Sequence, residues 1–194
     1  AVQVRGFTNN GFQFKIMSDP SFVSSAPVVN PPAFSTAGFY VQNSSVTILN
    51  VSVISTNSVS YGVYASSNFV TLSSVNVDAG GNITQAGMRI SSWTAVSYSS
   101  VTVFLAHGIQ IDGILNSVSY TNAVTSGTAI YALFLNAASS NSFNVFLASN
   151  PAGYAAVVSA NSNNNVFSVS TFTSDSSAYA ALYLTGAASN TVSG

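Results

Sequence analysis

The chain has 194 residues, enough for one domain, and only 4% of them are charged, against roughly 25% in an ordinary soluble domain. Its three cations, Arg5, Lys15 and Arg89, stand apart, which argues against nucleic acid as a partner because phosphate binding needs clustered Lys and Arg. No run reaches the ~18 apolar residues of a membrane span, Cys is absent, and net charge −1 with 47% hydrophobic residues predicts a surface covered by further copies of the same chain.

The first segments to read as strands are 2–7 and 12–16. Each alternates apolar with polar residues, and Asn9, Asn10 and Gly11 between them are a hairpin-type turn signal. A Pro/Ser stretch with extended character follows, from Ser18 to Pro32. Residues 1–37 are therefore expected to be N-terminal strands and a Pro-rich linker. Two readings stay open: a cap on the chain's own coil, or strands added to the open end of a neighbour.

From residue 38 a phrase repeats. A small residue opens it at Gly38, Gly62, Gly87, Gly108, Ala132, Ala156 and Ala181, at spacings of 24, 25, 21, 24, 24 and 25 residues. A period of this length marks stacked supersecondary units. Read as a strand, each phrase sends its second and fourth residues to one face. These are Phe39/Val41, Val63/Ala65, Met88/Ile90, Ile109/Ile111, Leu133/Leu135, Val157/Ser159 and Leu182/Leu184, a core column. The residues between them form an outer column with an aromatic stripe of Tyr40, Tyr64, Phe134 and Tyr183, interrupted by Arg89, Gln110 and Val158.

A second strand follows in each copy, opening at Val46, Val70, Val96, Val118 and Phe143, and a third at Val51, Val75 and Val101. Between the first two strands sits an Asn in most copies: Asn43, Asn68, Asn116, Asn141, Asn165 and Asn190. Asn tolerates left-handed backbone at a sharp corner, and stacked Asn residues pair in ladders. Three short strands per turn, each with one apolar face, predict a triangular coil around a dry core.

This pattern resembles the right-handed parallel β-helices built from pectate-lyase-like repeats, over residues 38–194. The resemblance implies an all-β, right-handed single-stranded solenoid of about seven rungs, roughly 34 Å long at about 4.8 Å per rung. It implies little about activity. The enzymes of that group need acidic metal ligands or clustered carboxylates, whereas Asp78, Asp112 and Asp175 fall in different rungs. Arg89 is expected to make at most a surface pair with Asp78, and His107, lacking an evident partner, reads as a corner residue. Trp93 reads as packing rather than as a sugar platform. No catalytic residue, metal site or cofactor is expected.

The ends carry the functional expectation. Residues 181–194 read as a good rung that stops halfway, with no amphipathic helix behind it. The apolar residues Val2, Val4, Phe7, Phe12, Phe14 and Ile16 at one end, and Leu182, Leu184 and Val192 at the other, are the expected assembly interface. Ala1 follows no Met and no basic-then-apolar leader, as in a mature secreted protein, and Asn43, Asn50 and Asn82 match the glycosylation acceptor pattern. The expected function is a structural subunit of an extracellular filament or surface appendage, a homo-polymer built head to tail. The alternatives are a carbohydrate-binding, less readily carbohydrate-cleaving, solenoid that uses the aromatic stripe on glycans, and an ice-binding solenoid that uses a polar ladder in which Thr47 and Thr71 align but Ser97, Ser119 and Asn144 break the Thr column.

Overall fold

The computed structural model describes residues 1–6, 12–19, 21 and 24–194; over these the chain forms nineteen strands, and every strand pairing is parallel. One sheet stacks Val2–Val4, Ala37–Val41, Val59–Ala65, Ile83–Ile90, His107–Ile111, Leu133–Asn136, Ala156–Ser159 and Leu182–Thr185 in chain order. The other begins with Phe14–Met17 and Val28–Val29 and continues through Val46–Val53, Val70–Gly80, Ala95–Ser97, Ser100–Val103, Ser117–Val124, Ser142–Ser149, Val166–Ser168, Thr171–Thr173 and Thr191–Ser193. The chain is a parallel β-solenoid. It alternates between two sheets once per turn of about 24 residues, and a single core runs between them.

The seven repeats supply seven strands of the first sheet, and Val2–Val4 supplies an eighth. This differs from the hairpin suggested by residues 9–11, which lie outside the described residues together with Phe7. Val2–Val4 pairs with Phe39–Val41, and Phe14–Met17 with Val46–Leu49, so the two segments lie in different sheets. The Pro-rich stretch is also tied to the coil: Val28–Val29 pairs with Ser52–Val53, and Asn57 donates to the Pro31 carbonyl at 3.0 Å.

The small residue that opens each phrase sits where two strands come closest. A Cβ on Gly87 would lie 2.2 Å from a Val101 methyl and 2.9 Å from the Gly108 carbonyl oxygen, distances no side chain tolerates. At Gly108 the facing side chain is only Ala123, and later turns carry Ala in this column. In the sixth repeat that position belongs to Ala155, not Ala156: the Leu133 amide bonds Ala155 just as the Ala156 amide bonds Ala181. Ala156 and Val158 therefore face the core, and Val157 aligns with Phe134 and Tyr183 outside. The expected Val157/Ser159 pair is displaced by one residue.

The second and third strands of each turn belong to one bent ribbon. Its bend is a single residue in left-handed conformation at Asn50, Ser74, Tyr98, Tyr120, Val145 and Val169, with φ between 47° and 58°. The residue after the bend covers the exposed polar backbone in three turns. Ser99 donates to the Ser97 carbonyl at 2.8 Å, Thr121 to Ser119 at 2.8 Å and Ser170 to Ser168 at 3.0 Å. The other corner uses a second left-handed column: Ser45, Phe69, Trp93, Leu115, Ser140, Asn164 and Ser189.

The Asn ladder follows this second column rather than forming it. Asn141 Oδ1 accepts from the Asn116 amide at 2.8 Å and from Asn116 Nδ2 at 2.9 Å. Asn165 Oδ1 serves Asn141 in the same way at 2.9 Å and 2.9 Å, and Asn190 Oδ1 serves Asn165 at 2.8 Å and 3.0 Å. Thr94 heads the column, its amide donating to Asn116 Oδ1 at 2.7 Å. The ladder therefore has four members. The register pairs Ile48 with Leu72 and Leu72 with Val96, which puts Val46 and Val70 in the Asn column and leaves Asn43 and Asn68 outside it. The Thr column of Thr47 and Thr71 ends after Thr71 as expected, but on Ala95 rather than Ser97. Replacing Asn141 with Ala strands two buried donors on Asn116, each worth about 1–3 kcal/mol. Chemical denaturation is expected to find Asn141→Ala destabilised by about 2–5 kcal/mol, and Asn68→Ala, at an exposed position, unchanged within about 0.5 kcal/mol.

Candidate functional site

The outer face of the first sheet carries most of the exposed chemistry. Parallel register lines up Gln3, Tyr40, Tyr64, Arg89, Gln110, Phe134, Val157 and Tyr183 in one column, so the four expected aromatics do share a column. They do not form one stack. Tyr40 and Tyr64 stack at 5.1 Å with rings 9° apart. Phe134 instead lies 4.9 Å from His107, and Tyr183 stacks on Tyr154 at 4.8 Å.

The rings that join these groups come from the residue just before each small residue: Tyr61 before Gly62, His107 before Gly108, Tyr131 before Ala132, Tyr154 before Ala155. Of these, only His107 is singled out by the sequence, and there as a corner residue. The signal of the position was an aromatic at the same offset in four turns.

Arg89 occupies the middle of the face. Its guanidinium lies 5.6 Å from the Tyr61 ring centroid and 5.2 Å from that of Tyr64. Nε donates to Asp112 Oδ2 at 2.6 Å and Nη1 to the Tyr61 hydroxyl at 2.7 Å. The Tyr61 hydroxyl in turn donates to Gln85 Oε1, and Gln110 Nε2 donates to Asp112 Oδ1 at 2.9 Å. Burial works against the Arg89 charge, but the bonds to Asp112 and Tyr61 outweigh it and hold the guanidinium protonated well above its ordinary range. The Arg89 partner is thus Asp112 and not Asp78, which is exposed on the second sheet. Both Asp112 oxygens are engaged, by Arg89 and Gln110.

His107 packs in a triangle with the Tyr131 and Phe134 rings, at 5.1 Å and 4.9 Å, and its Nδ1 accepts from the Tyr131 amide at 3.0 Å. It is a strand residue on the aromatic face, not a corner residue. Asp19, Asp78 and Asp175 stand elsewhere, and among the described residues no three His, Cys, Asp or Glu side chains gather as a metal site would require. Trp93 is half-exposed at the left-handed corner, 5.6 Å from Phe69, over a shallow groove of about 300 Å³ that Gln13, Thr71 and Ala95 help to line.

The two ends of the coil present apolar side chains. At one end Phe12, Phe14 and Met17 are exposed, and Val2, Gln3, Val4, Arg5, Phe14 and Ile16 line a cavity of about 260 Å³. At the other end Tyr183, Leu184 and Val192 are exposed and Leu182 is half-buried. Among the glycosylation matches, Asn50 is exposed in left-handed conformation, Asn43 is half-buried, and Asn82 Nδ2 donates to the Ser55 carbonyl at 2.8 Å. Comparison with protein-family models, curated proteins and solved structures returns no match to this chain.

Burial pushes the His107 pKa below its ordinary value, offset in part by the Asp112 charge. The unfolded chain therefore takes up the proton first as pH falls. The stability held by neutral His107 is complete above about pH 6.5 and drains as pH drops from there toward the folded value. A fall in thermal midpoint between about pH 7 and pH 5 is expected for the wild-type chain, whose only His is His107, and its absence is expected in His107→Asn. Equal pH slopes in differential scanning calorimetry would refute this assignment.

Proposed function

We propose that this chain is a non-enzymatic structural unit of a secreted filament or surface appendage, in which copies join head to tail by stacking turn upon turn. The observation that carries the reading is the match between the outermost described strands. Each end offers edge strands of both sheets in parallel orientation, among them Val2–Val4 and Phe14–Met17 at one and Leu182–Thr185 and Thr191–Ser193 at the other. Continuing the register from one copy to the next sets Val2 on Leu182, Gln3 on Tyr183, Val4 on Leu184 and Ile16 on Val192. The core columns then run on without a polar break. Edge strands left open recruit such partners, and a head-to-tail contact that does not close propagates as a filament.

The near absence of charge supports the same reading, since little on the flanks keeps copies apart. The repeat length of about 24 residues supports kinship with pectate-lyase-like solenoids in architecture alone. Secretion and the absence of catalysis belong to this reading too, the latter supported by the scattering of the acidic residues and the tie between Asp112 and Arg89. A second reading, glycan binding on the first sheet, is favoured by the stacked Tyr40 and Tyr64 beside the Arg89–Asp112–Gln110 group, which pairs flat apolar rings with hydrogen-bonding edges.

Electron microscopy of concentrated protein is expected to find filaments whose axial repeat is close to eight rungs, about 38 Å at about 4.8 Å per strand. A Gln3→Cys/Tyr183→Cys variant is expected to form disulfide-linked multimers on mild oxidation, because neighbouring parallel strands hold Cα atoms within disulfide range. Monodisperse monomers at high concentration together with no linked multimers would sink the assembly reading. Binding in a glycan array that is lost in Tyr64→Ala, with no polymers, would favour the second.

A further inference from the structure

The chain has nine Tyr and no Cys, so any covalent staple between its turns has to come from other chemistry than a disulfide. Among the described residues six tyrosine pairs are in ring contact, and one of them differs from the rest in exposure. Tyr98 and Tyr120 lie face to face, with centroids 5.0 Å apart and planes 5° from parallel, and both are more than half exposed, at 64% and 51%. We propose that Tyr98 and Tyr120 form an oxidative cross-linking site, at which a one-electron oxidant such as a peroxidase supplied with hydrogen peroxide joins two successive turns through a dityrosine bond.

The backbone holds the pair in place. Both residues are the left-handed bend of their turn, at φ 50° and 47°. Ser99 and Thr121, next in sequence, fasten each bend through a hydroxyl bond to the carbonyl two residues back, and the Tyr98 amide donates to the Ser119 carbonyl at 3.2 Å. The two Cα atoms are therefore fixed one rung apart. Exposure leaves the rings free to tilt until two ortho carbons meet.

The chemistry balances. Each phenol gives up one electron to the oxidant and its hydroxyl proton to solvent, leaving a phenoxyl radical with spin density on the ortho carbons. A carbon–carbon bond forms between one ortho carbon of each ring. The hydrogen on each of those carbons leaves to solvent while each oxygen regains a proton, restoring both phenols. The product is lighter by two hydrogens, and the two electrons and two protons reduce one hydrogen peroxide to two waters.

Other pairs are worse placed. The Arg89 guanidinium lies 5.2 Å from the Tyr64 ring centroid and opposes removal of an electron from the ring that stacks on Tyr40. Tyr154 is half-buried and shares its ring among several neighbours, so the Tyr154–Tyr183 stack has less freedom to tilt.

The test treats dilute full-length protein with peroxidase and hydrogen peroxide, then reads dityrosine fluorescence, intact mass and linked peptides. The expected product has the mass of a single chain less two hydrogens, its principal linked peptide carries Tyr98 and Tyr120, and its thermal midpoint rises. Tyr98→Phe and Tyr120→Phe, which keep the ring and its stacking, are expected to lose that product while keeping the wild-type circular dichroism. Three results would overturn the proposal: wild-type yield of the product in either Phe variant, linkage centred on Tyr154 and Tyr183 instead, or cross-links formed between chains alone. Absence of any dityrosine under conditions that couple free tyrosine would do the same.

Discussion

Every strand pairing that shapes this chain runs along the coil axis, from one turn to the turn before or after it. That constraint governs the rest. Parallel pairing at a fixed rise repeats each position of the turn as a column, and a column accepts a residue only if the neighbours above and below accept it too. The small-residue column is the strictest case. Where it holds Gly87, Val101 packs within reach of the backbone; where it passes to Gly108, Ala123 takes the place of the larger side chain. The facing side chain shrinks at Gly108, and in the next turn the column itself passes from Gly to Ala132.

Corners solve a different problem in the same way. A turn must bend sharply twice without leaving buried polar backbone unpaired, and a single left-handed residue gives the bend. The cost to a residue with a Cβ is about 1–2 kcal/mol, so the bend has to be held by bonds elsewhere. Two devices do this. After the corner at Leu115, Ser140, Asn164 and Ser189, which comes first in each turn, Asn side chains copy a strand's hydrogen bonds along the axis from Asn116 to Asn190, each amide answering both the backbone and the side chain of the turn before. After the second, Ser99, Thr121 and Ser170 close the bend within a turn. The early turns fill the Asn column with Val46 and Val70 and rely on apolar packing there instead. One corner of the fold is thus built two ways in a single molecule.

The solenoid was legible because its strongest signal, a small residue followed by alternating apolar positions, is imposed by the column constraint itself. What stayed hidden was register. A slip of two residues returns every side chain to the same face, so aligning Val46 and Val70 with Val118 satisfied the alternation as well as the pairing of Ile48, Leu72 and Val96 does. The one-residue slip in the sixth repeat was legible in principle, since it placed Ser159 in the core and left Val158 outside. The hairpin signal at residues 9–11 misled for a related reason: local turn chemistry does not say whether the next strand pairs beside its predecessor or one sheet away. On the outer face, Tyr40 and Tyr64 were found because they lie in the repeated phrase. Tyr61, Tyr131 and Tyr154 were missed and His107 was read as a corner because all four precede it, and the Arg89–Asp112 pair was missed because a pairing between adjacent turns joins residues 23 apart in sequence.

The same column logic bears on how such a coil meets another molecule. Residues 1–6 and 12–17 lie in register with the turn that follows them, so in shape they are one more rung and not a separate arm. Beneath them, Phe39, Val41 and Ile48 continue the same columns in the same orientation. Each described rung offers its neighbour the same parallel pairing. Specificity in an assembly of such units then has to come from side chains that point outward. On the first sheet those are the Tyr, Arg89, Asp112 and His107 groups, which set one position along the axis apart from the next where the backbone does not.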